Sequence, residues 1–210
     1  MGWKGSAAGE RPLSGFSHGA AGIAYALLEL ASATSDPRYR ELAHQALTYE
    51  RTLFVPERGN WKDLRELEKD REGTGFMVTW CHGAPGIALG RLCSLRHLDG
   101  VEVRAELETA LTTTLREGFG DSHCLCHGDL GNVEPLYLAG EVLGEPRWTR
   151  AALERAACIL HHGRERGWLC GLPRGTETPG LMMGLAGIGY GLLRLAAPEH
   201  VPSVLALAGP

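Results

Sequence analysis

Trp80-Cys81-His82-Gly83-Ala84-Pro85-Gly86-Ile87 is the stretch from which the rest of this chain can be read. Two side chains able to bind a metal or carry a proton stand directly before a Gly-x-x-Gly pair, and an apolar run follows it. The same arrangement recurs as Gly15-Phe16-Ser17-His18-Gly19-Ala20-Ala21-Gly22-Ile23, as Leu125-Cys126-His127-Gly128-Asp129-Leu130-Gly131-Asn132, and as Met182-Met183-Gly184-Leu185-Ala186-Gly187-Ile188. Successive steps from His18 to His82, His127 and Met183 are 64, 45 and 56 residues, longer than short solenoid repeats and uneven. They mark an internal repeat whose connections vary in length.

Ala- and Leu-rich runs follow each cluster, at 20–30, 84–95, 130–143 and 185–197. They are apolar almost all round, which suits helices buried on most sides. Between them lie amphipathic stretches with helical spacing: Leu42, Ala46, Tyr49 and Leu53, then Val103, Leu107, Ala110 and Leu111, then Ala151, Leu153, Ala157 and Leu160. Asp36-Pro37 offers an N-cap and an N1 proline to the first of these, and Glu145-Pro146 opens the third in a similar way. Alternating inner and outer helices, with no strand-like run between, predict an all-α toroid or barrel of helical hairpins. Glycine at the start of each inner helix allows a tight turn and leaves N–H groups aimed at whatever the inner ring encloses, so function should sit at that rim. Two connections, 55–79 and 165–180, exceed a simple helix turn and are candidate lids, although the charged run 62–72 reads better as a solvated surface.

Composition limits what the chain can be. With 44% hydrophobic and 22% charged residues, its 210 residues describe one globular domain spanning 1–210. A net charge of −4, with no Lys/Arg cluster interleaved with aromatics, argues against a nucleic-acid partner. No apolar run approaches the ~20 residues that cross a bilayer, since the best one, 23–33, carries Glu29. Met1-Gly2-Trp3-Lys4-Gly5-Ser6 fits a myristoylation pattern only by chance, as no polybasic patch follows. Without an apolar signal core the chain is expected in a reducing cytoplasm, where six cysteines more often mean metal or catalysis than disulfides.

Cys81 in the second cluster, with Cys126 and His127 in the third, are three candidate ligands for Zn2+. Three protein ligands with one open position is the arrangement of a catalytic zinc site. Small buried cysteines packing at tight turns would account for them equally well. His18 holds in the first cluster the place of His82 and His127 in theirs; lacking a neighbouring cysteine, it reads as an acid or base facing the same cavity. Cys93 and Cys158 read as helix packing, Cys124 and Cys170 as spare thiols. His82 reads as a polar cap before a second-shell donor, and Asp129 as the cap of the helix that follows it.

These turns, with Pro179-Gly-Leu-Met-Met-Gly-Leu-Ala-Gly-Ile-Gly-Tyr-Gly-Leu-Leu and Val201-Pro-Ser-Val-Leu, resemble the lanthionine synthetase C-like family over nearly the whole chain. They are most similar to the C-terminal cyclase part of class II, bifunctional lanthipeptide synthetases. The resemblance implies an α,α-toroid with one zinc ion held by Cys81, Cys126 and His127, and His18 at the position of the proposed acid/base histidine. It implies addition of a peptide cysteine thiolate to dehydroalanine or dehydrobutyrine, closing a thioether ring. The substrate would be a dehydrated precursor peptide. Such a domain normally has further hairpins upstream, one carrying an acidic residue, and a basic residue near the first ligand cysteine. Residues 75–79 contain no basic residue, and the ring is incomplete as written, so the expectation is an N-terminally truncated cyclase domain, with the missing dehydratase and cyclase portion as a partner. A non-catalytic peptide-binding or assembly module that keeps the zinc rim is the alternative, and a zinc hydrolase the third.

Overall fold

The computed structural model of the chain describes residues 2–3, 11–65 and 75–207. Of the run 62–72, only 62–65 lie within the described residues, and of Met1 to Ser6 only Gly2 and Trp3 do. Two compact units divide the chain, Met1–Thr113 and Thr114–Pro210. Among the described residues there are seven α-helices: α1 Ala20–Thr34, α2 Pro37–Arg51, α3 Ala84–Ser94, α4 Val101–Glu117, α5 Asp129–Leu143, α6 Pro146–Arg166 and α7 Leu185–Ala196. The all-α expectation holds, with inner runs and outer stretches each forming a helix near the anticipated bounds. One small addition comes from the 55–79 connection, where β1 Phe54–Val55 pairs antiparallel with β2 Asn60–Trp61. Two residues per strand are too few to leave a strand pattern in sequence. Among the described residues no helix is long and apolar enough to cross a membrane.

In the first unit α1 lies against α2 and α3. Small side chains set the approach: Ala20, Ala24 and Leu28 meet Ala43, Ala46 and Leu47, with Trp3, Leu27, Tyr49 and Leu98 closing the edge. Asp36 caps α2 as expected, its carboxylate accepting the Arg38 N–H at 3.0 Å before Pro37 at the first helical position. Helix α3 is buried along almost its whole length. It carries Arg91, 1% exposed, whose guanidinium stands 2.9 Å from Glu50 of α2 and 2.7 Å from Glu106 of α4. Glu106 also pairs with Arg51. The other Glu50 oxygen accepts the Gly15 N–H at 3.0 Å, so this buried ionic group ties three helices to the turn that precedes α1. Burial pushes the Glu50 carboxyl up, against the pull of Arg91.

In the second unit α5 packs on α6 and α7. Leu130, Val133, Leu136 and Ala139 of α5 are fully covered. The side of α6 that faces α5 differs from the expected one. Trp148, Ala152, Ile159 and Gly163 are buried, whereas Leu153, Ala157 and Leu160 are exposed and Ala151 half-buried. The i, i+4 spacing of the buried set holds one stripe of the helix, while the step from 151 to 153 crosses to another face. Gly140 of α5 lets Thr149 come close, since a Cβ there would stand 1.9 Å from its Oγ1. Arg194 of α7, partly enclosed, lies 3.5 Å from Glu134 and donates to the carbonyl of Pro198 at 2.9 Å, holding the tail after α7.

The repeated Gly-x-x-Gly has a common physical cause. A Cβ on Gly22, Gly86 or Gly187 would come within 2.0, 2.1 and 1.7 Å of the carbonyl oxygens of Phe16, Trp80 and Leu181, so each inner helix starts against the loop just before it. In three turns the contact is sealed by a main-chain bond across seven residues: Ala20 N–H to Leu13 at 2.9 Å, Asp129 N–H to Ser122 at 2.7 Å, and Leu185 N–H to Thr178 at 2.8 Å.

Removing the Glu50 carboxylate leaves the buried Arg91 with Glu106 as its remaining carboxylate and the Gly15 N–H without its acceptor, and breaking a buried pair from one side costs up to about 3–5 kcal/mol. Glu50→Ala is expected to lower the denaturant-derived stability by that order; a loss under about 1 kcal/mol would show the ionic group to be dispensable.

Candidate functional site

Within the first unit the fold brings the His18 turn onto the Cys81 turn. The Ser17 N–H and hydroxyl point to the Cys81 carbonyl at 3.3 and 3.4 Å, and the His18 ring lies over that of His82 with centroids 6.1 Å apart. Gly15, at φ +91°, leaves room for this approach, because a Cβ there would stand 2.8 Å from the His82 Cα. Phe16 and Trp80 flank the junction with ring centroids 5.7 Å apart. His18 is exposed at the head of α1, as an acid or base would need to be. Cys81 is 7% exposed, its sulfur 3.3 Å from Thr79 Oγ1. His82 is buried beneath His18, and burial, helped by the Arg65 guanidinium, pushes its imidazole down to about 4. Its main-chain carbonyl accepts from Thr79 and closes the turn, while α3 carries no side-chain cap of its own, so the imidazole does not act as the expected polar cap.

The Cys81 turn departs from the other three in a way the sequence does not announce. Where they close by a direct main-chain bond, here the Asn60 side chain is inserted: its Oδ1 accepts the Ala84 N–H at 3.0 Å and its Nδ2 donates to the Met77 carbonyl at 3.0 Å. The wedge changes the backbone. Gly83 has φ +93°, whereas Gly19, Gly128 and Gly184 at the equivalent place have φ −122°, −120° and −126°. Asn60 is 1% exposed and reaches the turn from β2, so the connection anticipated as a lid serves at this end as a brace.

In the second unit Cys126 and His127 are adjacent and partly exposed at the start of α5. The Cys126 N–H donates to the Met182 carbonyl at 2.8 Å, and His127 Nε2 lies 2.9 Å from the Gly171 carbonyl. A carbonyl only accepts, so the bond forms with the proton on Nε2; in the neutral ring Nδ1 then keeps the lone pair, the form in which a histidine binds metal. Thiolate, thiolate and neutral imidazole form a donor set that fits zinc. Cys81 belongs to the first unit, Cys126 and His127 to the second. Among the described residues no three His, Cys, Asp or Glu side chains are gathered to hold a metal, so neither unit supplies a ligand set by itself.

Other expectations resolve one by one. No cysteine is in a disulfide. Cys124 and Cys170 are buried at 0% and 2% exposure, Cys93 is half-buried in α3, and Cys158 is exposed on α6, so packing does not account for Cys158. Asp129 does not cap its own helix by a side-chain bond; its Oδ1 accepts the Gly120 N–H at 2.9 Å and fixes the preceding loop, and burial pushes its carboxyl up. Of the 165–180 connection, residues 169–171 are tied down, while Pro173, Arg174, Thr176 and Glu177 are exposed. The tie is His123, 4% exposed, whose Nδ1 accepts the Leu169 N–H at 3.0 Å.

The sequence model of the family described as lanthionine synthetase C-like protein matches residues 3–206. The chain belongs to this family. Among curated relatives it is 29% identical over 205 residues to the lacticin 481/lactococcin biosynthesis protein LcnDR2 of Lactococcus lactis subsp. lactis, covering 92% of this chain and 22% of that protein. It is 28% identical over 199 residues to glutathione S-transferase LANCL1 of Danio rerio, covering 89% of this chain and 44% of that protein. This lanthionine synthetase C-like chain thus spans less than half the length of either relative. Its fold is shared with nisin cyclase, a helical toroid, at a TM-score of 0.70 and 23% identity, over 93% of this chain and 50% of that one.

Two outcomes test this local architecture. Asn60→Ala leaves the buried Ala84 N–H and the half-buried Met77 carbonyl without their side-chain partner, so a loss of about 1–3 kcal/mol is expected by denaturation; a loss below about 0.5 kcal/mol contradicts the wedge. Burial first, and His162 second, hold the His123 imidazole below its usual value. The unfolded chain therefore takes up the proton first, and this stabilisation, complete above about pH 6.5, is lost as pH falls through and below that value. In chelator, the wild-type urea midpoint is expected to drop more between pH 7.5 and 5 than that of His123→Asn, which keeps an acceptor but does not titrate; parallel curves would refute the assignment.

Proposed function

We propose that this chain is a zinc-dependent lanthipeptide cyclase, or a part of one, that adds a peptide cysteine to a dehydroalanine or dehydrobutyrine of the same dehydrated precursor peptide. The observation that carries the reading is the seating of the exposed His18 on the turn that bears Cys81, through Ser17 and the His18–His82 stack. Family membership and the likeness to a lacticin biosynthesis protein support it.

Cys81, Cys126 and His127 would hold the ion, and zinc supplies the positive charge that lowers a thiol's pKa and leaves a thiolate at neutral pH. In the reaction a sulfur–carbon bond forms at the β-carbon while the carbon–carbon double bond opens toward the α-carbon. The thiol proton is released, and His18 returns one to the α-carbon. Buried His82 orients its neighbour's ring by stacking. The substrate of this reaction is a peptide already dehydrated, supplied by another segment or another protein.

The name of the Danio rerio relative favours a second reading, transfer of glutathione to a small electrophile by the same residues. One assay separates the two. Purified chain should contain about one zinc, absent from Cys126→Ala, and should consume the free thiol of a dehydrated cysteine-containing peptide, followed by alkylation and mass spectrometry. His18→Ala is expected to keep the zinc and lose about 10²–10⁴ in rate. Absence of zinc from the wild type, or unaltered rate in His18→Ala, contradicts the cyclase reading; glutathione adducts without ring closure would favour the second.

A further inference from the structure

We propose that the main-chain carbonyl of Gly171 is a positioning group for His127, holding the imidazole as the Nε2–H tautomer and so selecting Nδ1 as the nitrogen that binds the ion. The claim rests on the reading of His127 as a zinc ligand and deepens it: the choice of nitrogen is made by a segment 44 residues further along the chain.

The segment that carries the Gly171 carbonyl is held at several points. The Gly171 N–H donates to the Met183 carbonyl at 2.8 Å, and the Cys126 N–H donates to the Met182 carbonyl at 2.8 Å, so ligand turn and positioning segment hang on consecutive carbonyls of the same Gly-x-x-Gly turn. Two residues earlier, Leu169 is clasped by His123: the His123 N–H donates to the Leu169 carbonyl at 2.8 Å, and the Leu169 N–H returns to His123 Nδ1 at 3.0 Å. Between them Cys170 is buried. The His123 ring is itself set edge-on against His162 and Trp168, with centroids 5.0 and 5.7 Å away.

Position 171 also has no room for a side chain, and the reason lies in the site. A Cβ there would stand 2.6 Å from Cys124 Sγ and 2.8 Å from His127 Nε2. Gly171 is not among the glycines with positive φ, so space and not backbone conformation demands glycine. A loop that merely closed the chain would have no need to meet the imidazole on its bonded nitrogen. A carbonyl fixed in this way does for a metal-binding histidine what an outer hydrogen-bond partner generally does: it sets tautomer and ring orientation, and losing it weakens metal affinity about 10–100-fold.

The test uses the full chain. In metal-free protein labelled with ¹⁵N-histidine, long-range ¹H–¹⁵N correlations, with the His127 signals assigned by their loss in His127→Gln, are expected to show the Nε2–H tautomer. The Nδ1–H form, or a fast-exchanging mixture, overturns the proposal. Gly171→Ala is expected to bind zinc 10–100-fold more weakly in chelator competition. Because the added methyl also strikes Cys124, the double variant Gly171→Ala/Cys124→Ala removes that clash and keeps the one with His127. It should still bind about 10–100-fold more weakly than Cys124→Ala alone. Equal affinity in those two variants overturns the proposal. Wild type that takes up no zinc would defeat the zinc reading, while the tautomer spectrum still decides the role of Gly171 on its own.

Discussion

A helix that begins against the carbonyl of its own preceding loop is the constraint on which this structure depends. Gly22, Gly86 and Gly187 let that carbonyl come closer than any side chain would permit, and three of the four turns then seal themselves by a main-chain bond across seven residues. The arrangement does two things at once. It places the two residues before the first glycine at the mouth of a helix N-terminus, where the positive end of the helix dipole favours a thiolate at Cys81 and Cys126. It also satisfies the first N–H groups of a buried helix, which otherwise have no partner.

The repeat is used unequally. The first turn carries an exposed imidazole, the second a buried thiol, the third an adjacent thiol and imidazole, and the fourth only the carbonyls of Met182 and Met183. That last turn contributes no chemistry of its own and instead holds Cys126 and Gly171 in place. The second is wedged by Asn60, and the first is tied to the buried Glu50–Arg91–Glu106 group through Gly15. Each turn that offers a reactive side chain is therefore braced from outside itself by a polar group drawn from elsewhere in its unit.

What the sequence made legible follows from periodicity. Four glycine clusters and alternating apolar runs sufficed for the helix order and the meeting of His18 with the Cys81 turn, because equivalent turns of one repeat face the same way; burial on most sides holds for α3 and α5, whereas α1 and α7 keep exposed faces that carry Leu30, Leu185 and Leu193. The face of α6 was misread since Ala151, Leu153, Ala157 and Leu160 are apolar yet not on one stripe, while Trp148, Ala152, Ile159 and Gly163 are. Asn60, His123 and Gly171 left no signal at all. Each lies in a connection without periodicity, and each acts through a partner 17–46 residues away, which only the folded chain defines. An asparagine between a glycine and a tryptophan looks like any turn residue until the carbonyl and N–H that it separates are known.

Zinc K-edge X-ray absorption on the metal-loaded chain is the measurement that bears most directly on the central claim, that these glycine-bound turns supply two sulfurs and one imidazole to a single ion. The account predicts a shell with two sulfurs at about 2.3 Å and nitrogen or oxygen neighbours at about 2.0–2.1 Å, one of them histidine, with a sulfur lost in Cys81→Ala. A shell of nitrogen and oxygen alone, or one unchanged by that substitution, would contradict it.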